Sequence, residues 1–90
     1  MKINWSNEAS TDIEDIDRFI ALENPVAAAN LFELLTETVE KIAQMPYIGR
    51  TGRVAGTREF VAHPNYIIVY KVMLDEILIL RILHGRRKYP

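Results

Sequence analysis

"REFVAHPNYIIVYKVMLDEILILRILH", residues 58–84, decides the fold. It divides into three runs rich in β-branched and aromatic residues, Arg58 to Ala62, Tyr66 to Leu74 and Glu76 to about His84. Between them stand only "HPN" and the acidic pair Asp75-Glu76, connections short enough for successive antiparallel hairpins. A sheet of this kind has to bury one face against another layer. In the last run alternation puts Leu78, Leu80 and Ile82 on one face, expected to meet that layer. Ile77, Ile79, Arg81 and Leu83 share the other face, where Arg81 is expected to pack its stem on aliphatic neighbours, keep its guanidinium wet and pair with Glu59 or Asp75.

The covering layer is written upstream. "KINW", Lys2 to Trp5, alternates polar and apolar residues and reads as a short opening strand. Ser6 is a helix N-cap, and Ala9, Ile13, Ile16, Phe19 and Ile20 follow as an amphipathic stripe whose wet side is Glu8, Asp12, Glu14, Asp15 and Asp17. Asn24 caps a second helix with Pro25 at its first position, and Ala28, Phe32, Leu35, Val39 and Ile42 carry one apolar face to about Met45. The expected order is therefore βααβββ, an α+β fold with a two-helix hairpin packed on a small twisted antiparallel sheet. At 90 residues the chain has material for one core, so residues 1–90 form a single domain.

Composition narrows the chemistry. There is no cysteine, so no disulfide framework or thiolate metal site exists, and two histidines form no metal-ligand spacing. No serine follows Ser10, which removes nucleophilic triads. "MPYIGRTGRVAGT" is a glycine-rich loop, but it lacks GxxxxGK[ST] and leads into strands, so no nucleotide cofactor is expected. No apolar run approaches the roughly 20 residues that cross a bilayer, and no signal-like start is present, which places the expected location in the cytoplasm. Charge is unevenly shared: residues 1–49 hold three Lys/Arg against nine Asp/Glu, and residues 50–90 hold eight against three. The second half is thus the cationic one and steers anionic partners.

Candidate functional groups gather at the carboxyl end. His84 has a side chain able to exchange a proton near neutrality; Arg86, Arg87 and Lys88 follow Gly85, and Tyr89 follows them. His63 reads as a turn residue, and Glu59, beside Arg58, as the partner of a neighbouring cation. Tyr47, Tyr66, Tyr70 and Tyr89 accompany cations in a pattern that serves base stacking or sheet packing equally.

Beyond these readings, "WSNEASTDIEDIDRFI", "NPVAAANLFELL", "MPYIGRTGR", "GTREFVAHPNYIIVYKV" and "ILRILHGRRKYP" resemble the RelE/ParE superfamily of type II toxins over nearly the whole chain. The resemblance implies a cognate antitoxin partner, expected against Arg58, Tyr66 and Tyr70, and a toxin-antitoxin hetero-oligomer. RelE-like members cleave messenger RNA on the ribosome with clustered lysines, arginines and a tyrosine. ParE-like members inhibit DNA gyrase by protein contact. The lysine pair of the RelE-like pattern is missing, its places being held by Arg50, Arg53 and Thr57, and arginine is no base at neutral pH. The resemblance therefore implies a ParE-like gyrase inhibitor without catalytic residues, its target contacts at Arg81, His84, Arg86, Arg87 and Lys88. Its alternatives are a ribosome-dependent endoribonuclease using Glu59 or His84 with Arg58, Arg81 and Tyr89, or an inactive relative that only binds antitoxin.

Overall fold

The computed structural model describes residues 1–85 and Tyr89. The chain runs β1 (Lys2–Trp5), α1 (Asn7–Ala21), α2 (Pro25–Gln44), β2 (Arg50–Thr51), β3 (Arg58–His63), β4 (Tyr66–Val72) and β5 (Glu76–His84). Both caps form as their residue types dictate: Ser6 Oγ accepts from Ala9 N at 3.0 Å and Asn24 Oδ1 from Ala27 N at 3.0 Å. The α+β class and the βααβββ order hold, with a two-residue strand, β2, added inside the glycine-rich loop.

The sheet order is β1-β5-β4-β3-β2. Strands β2 to β5 are antiparallel neighbours, but β1 lies parallel to β5, Lys2 opposite Glu76 and Trp5 opposite Ile79, so the sheet is mixed. A parallel partner needs a long crossover, and the helical hairpin is its first part. Behind the sheet, Leu35, Val39 and Ile42 of α2 and Ala9 and Ile13 of α1 bury against Ile68, Tyr70, Ile77, Ile79 and Ile82. Each of the leucine, isoleucine and valine side chains contributes about 1.5–3 kcal/mol when fully buried. Phe19 and Phe32, expected in the buried stripes, are instead 75% and 43% exposed.

The faces of β5 depart from simple alternation. Val69 stands opposite Arg81 and Tyr70 opposite Ile79, which leaves Leu80 as an extra residue, a β-bulge. Ile77, Ile79 and Ile82 consequently face the helices, while Leu80 joins Ile67, Val69, Leu83 and Tyr89 in a second apolar cluster on the other face. The expectation that Leu78 and Leu80 meet the helices is thus corrected. "EILILRILH" is apolar at nearly every step, so its period-2 signal has no readable phase.

Beyond Ile79, β5 has no strand beside it on the β1 side. The start of α1 closes that edge: Ser6 N donates to Ile79 O at 2.9 Å, Ser6 Oγ to Leu80 O at 2.9 Å, and Ile82 N to Asp12 Oδ2 at 2.9 Å. Side chains thereby stand in for a missing strand and satisfy backbone groups that would otherwise template aggregation.

Candidate functional site

Two arginine-carboxylate knots hold the cationic part of the molecule. In the first, Arg81 Nε and Nη2 donate to the two oxygens of Asp12 at 2.7 and 3.0 Å, the planar fork matching the carboxylate. The hydrogen bonds that Arg81 donates to Asp12, and the charge of that carboxylate, raise the Arg81 pKa above its ordinary value, against the opposing effect of burial. Neither expected partner of Arg81 is the real one. Glu59 lies in the same cross-strand row but with Val69 between them, two strand spacings or about 10 Å away. Asp12, assigned from sequence to the wet side of α1, was the missed partner; its signal was a position next to the buried Ala9 and Ile13.

The second knot is Glu59, whose side chain is 1% exposed. Its carboxylate accepts from Arg53 N at 2.9 Å, Arg53 Nε at 3.2 Å, Arg53 Nη2 at 3.3 Å and Arg50 Nη2 at 3.2 Å. Burial alone would raise this carboxyl, but the hydrogen bonds from Arg53 and Arg50 outweigh it and hold the pKa below 4.5. The adjacent Arg58 does not join. Its guanidinium donates to Gly49 O at 2.8 Å and lies 4.9 Å from the centre of the Tyr47 ring. Arg53 similarly approaches the Tyr89 ring at 5.8 Å.

Tyr70 is fully buried, so it offers no surface to an antitoxin; it is a strut. Its hydroxyl accepts from Gly49 N at 2.9 Å and donates to Pro46 O at 2.7 Å, tying the loop after α2 to the sheet. Burial pushes the phenol pKa up, partly countered by the Gly49 N–H and the Arg58 charge. A methyl group on Gly49 would stand 2.6 Å from that hydroxyl and 3.0 Å from Glu59 O, which is why glycine is needed there. Tyr70→Phe, leaving both loop groups unpartnered, is expected to cost about 2 kcal/mol in urea unfolding. Gly49→Ala is expected to cost about as much by overpacking, and the pair together less than the sum because they strike one contact.

Tyr66, by contrast, is half-buried at the sheet's end, where the exposed His84 ring meets it edge-on at 5.5 Å and His63 at 5.9 Å. His63 Nδ1 accepts from Asn65 N at 3.1 Å, as a turn residue should. Tyr66, His84, Asp12, Asp15, Phe19 and Ile82 border an open cleft of about 310 Å³ between α1 and the end of β5. The structure thus sets His84 opposite Tyr66 at the sheet's end, leaves Arg81 in the row of Val69 and Glu59, and places Arg50, Arg53, Arg58 and Glu59 on the β2–β3 side. Arg86, Arg87 and Lys88 lie outside the described residues. Among the described residues no cluster of His, Asp or Glu has the make-up of a metal site, and no helix is long and apolar enough to cross a membrane.

Residues 3–89 match the family described as ParE toxin of type II toxin-antitoxin system, parDE. The chain belongs to the ParE toxin family. It is 33% identical over 90 residues to the protein Y4kP of Sinorhizobium fredii, a match covering 99% of this chain and 93% of that one. The fold is shared with the chromosomal ParDE toxin-antitoxin system from P. aeruginosa, at 24% identity and TM-score 0.82 over 93% of this chain and 95% of that one. It is shared too with the YoeB/ParE toxin from Agrobacterium tumefaciens, at 17% identity and TM-score 0.71 over 94% and 99% of the two chains. In this ParE-family toxin the two knots engage Arg81 and Glu59, two of the residues that the RelE-like alternative would draw on, and leave Arg58 outside.

Proposed function

We propose that this toxin acts in the cytoplasm by binding DNA gyrase, without cutting RNA, and that a cognate antitoxin silences it in a hetero-oligomer. The observation that carries the proposal is the state of Glu59. Ribose 2′-hydroxyl activation needs a base within hydrogen-bond reach of substrate. Glu59 is buried and its oxygens are taken by three guanidinium N–H groups and one backbone N–H. Arg81, which the alternative would set beside a scissile phosphate, has its Nε–Nη2 edge taken by Asp12. That reading would leave His84 as the base, beside Tyr66.

Expression without antitoxin separates these readings. Loss of plasmid supercoiling with intact messenger RNA is the expected result. Ribosomal A-site cleavage that His84→Ala abolishes would overturn it in favour of the ribonuclease. If the tail contacts the target, Arg86, Arg87 and Lys88 changed together to Ala are expected to abolish toxicity while antitoxin affinity and melting temperature stay nearly unchanged. A shift within about 0.5 kcal/mol is the range of ordinary surface changes. Antitoxin affinity is expected to fall, without vanishing, as salt is raised, since exposed charges are screened within about 8 Å at physiological ionic strength.

A further inference from the structure

The outer seam of the helical hairpin carries a groove that neither the antitoxin nor the gyrase reading uses. Two clefts make it, one of about 520 Å³ lined by Asp17, Ala21 and Leu22 and one of about 280 Å³ lined by Trp5, Ile13 and Thr36. Glu14 and Phe32 line both, so the clefts adjoin along the seam. Leu22 is 81% exposed and Phe32 43%, so the groove presents two large apolar side chains to solvent. Among the described residues Arg18 is the one cation lining the groove and is engaged by Asp15 at 3.1 Å, and no ion pair to Glu14 or Asp17 forms.

We infer that this groove is a docking site for a basic amphipathic helix of a protein partner. A seam between two helices receives a third by ridges-into-grooves packing, with anchors at i, i+3, i+4 and i+7. The apolar floor of Ile13 and Phe32 fits such anchors, and Glu14 and Asp17, which form no ion pair among the described residues, fit lysine or arginine flanking them. The charge excludes the acidic type of segment expected on the sheet half, so the two surfaces discriminate between partners by sign. The helix α1 has 15 residues, about 22 Å at 1.5 Å per residue, which accommodates an equal length of partner helix. The inference does not rest on gyrase being the target.

A synthetic peptide of about 15 residues, with leucine on one face and lysine on the other, tests it when titrated into the full chain with backbone amide shifts as the readout. The expected shifts centre on Ile13, Glu14, Leu22 and Phe32, and a peptide with glutamate in place of lysine binds at least about tenfold more weakly. Leu22→Ser, and separately the pair Glu14→Lys and Asp17→Lys, are expected to raise the dissociation constant about tenfold with unchanged melting temperature, because these side chains are not in the core. Equal binding of the two peptides, or shifts confined to the sheet, would overturn the inference. So would self-association of the chain that Leu22→Ser abolishes, since the occupant would then be a second copy.

Discussion

Asp12→Ala is expected to lower stability by about 3 kcal/mol. Two charge-assisted bonds to Arg81 are lost, and with them the acceptor for Ile82 N. The side chains are 25% and 13% exposed at Arg81 and Asp12, so water replaces the lost contacts poorly but not negligibly, which keeps the figure at the lower end for a broken buried pair, about 3 kcal/mol. For a domain of this size that corresponds to a fall in melting temperature of roughly 12–24 °C. Asp12→Asn retains an acceptor for Ile82 N and is expected to cost about half as much. A melting temperature within about 2 °C of the parent in Asp12→Ala would show that the edge of β5 closes without this carboxylate.

Glu59→Gln is expected to cost about 2 kcal/mol at neutral pH and to change the shape of the pH profile. The amide keeps an acceptor for Arg53 N but turns an NH2 toward a guanidinium. Arg50 and Arg53 are 61% and 44% exposed and rehydrate readily, so the loss is concentrated at the buried carboxylate. The sign follows from the folded carboxyl lying below its ordinary 4.5. Below that ordinary value the unfolded chain takes up the proton first, so the stabilisation is complete above it and disappears as pH falls through the folded-state value. Urea midpoints measured from neutrality downward are therefore expected to decline on the acid side more steeply in the parent than in Glu59→Gln. Parallel curves would mean that Glu59 is not the carboxylate responsible.

Much of this toxin is legible one element at a time. Ser6, Asn24 and Pro25 announce their helix starts because capping is a contact between residues three apart, and the spans of β1 and β5 follow from local pattern alone. The βααβββ order and the resemblance to RelE/ParE toxins need nothing more than that. What only the tertiary structure decided is which side chains meet. Asp12 finds Arg81 across 69 residues, Tyr70 reaches Gly49 and Pro46, and Glu59 collects Arg50 and Arg53 in place of its neighbour Arg58. The parallel seating of β1 against β5 and the bulge at Leu80 belong to the same class. Local propensity acts within a turn or a strand, whereas these pairings depend on strand neighbours and on the phase of a strand that is apolar on both faces. That phase is set when the backbone groups left over at Leu80 and Ile82 are satisfied by Ser6 and Asp12, a condition that exists only once helix and sheet have come together.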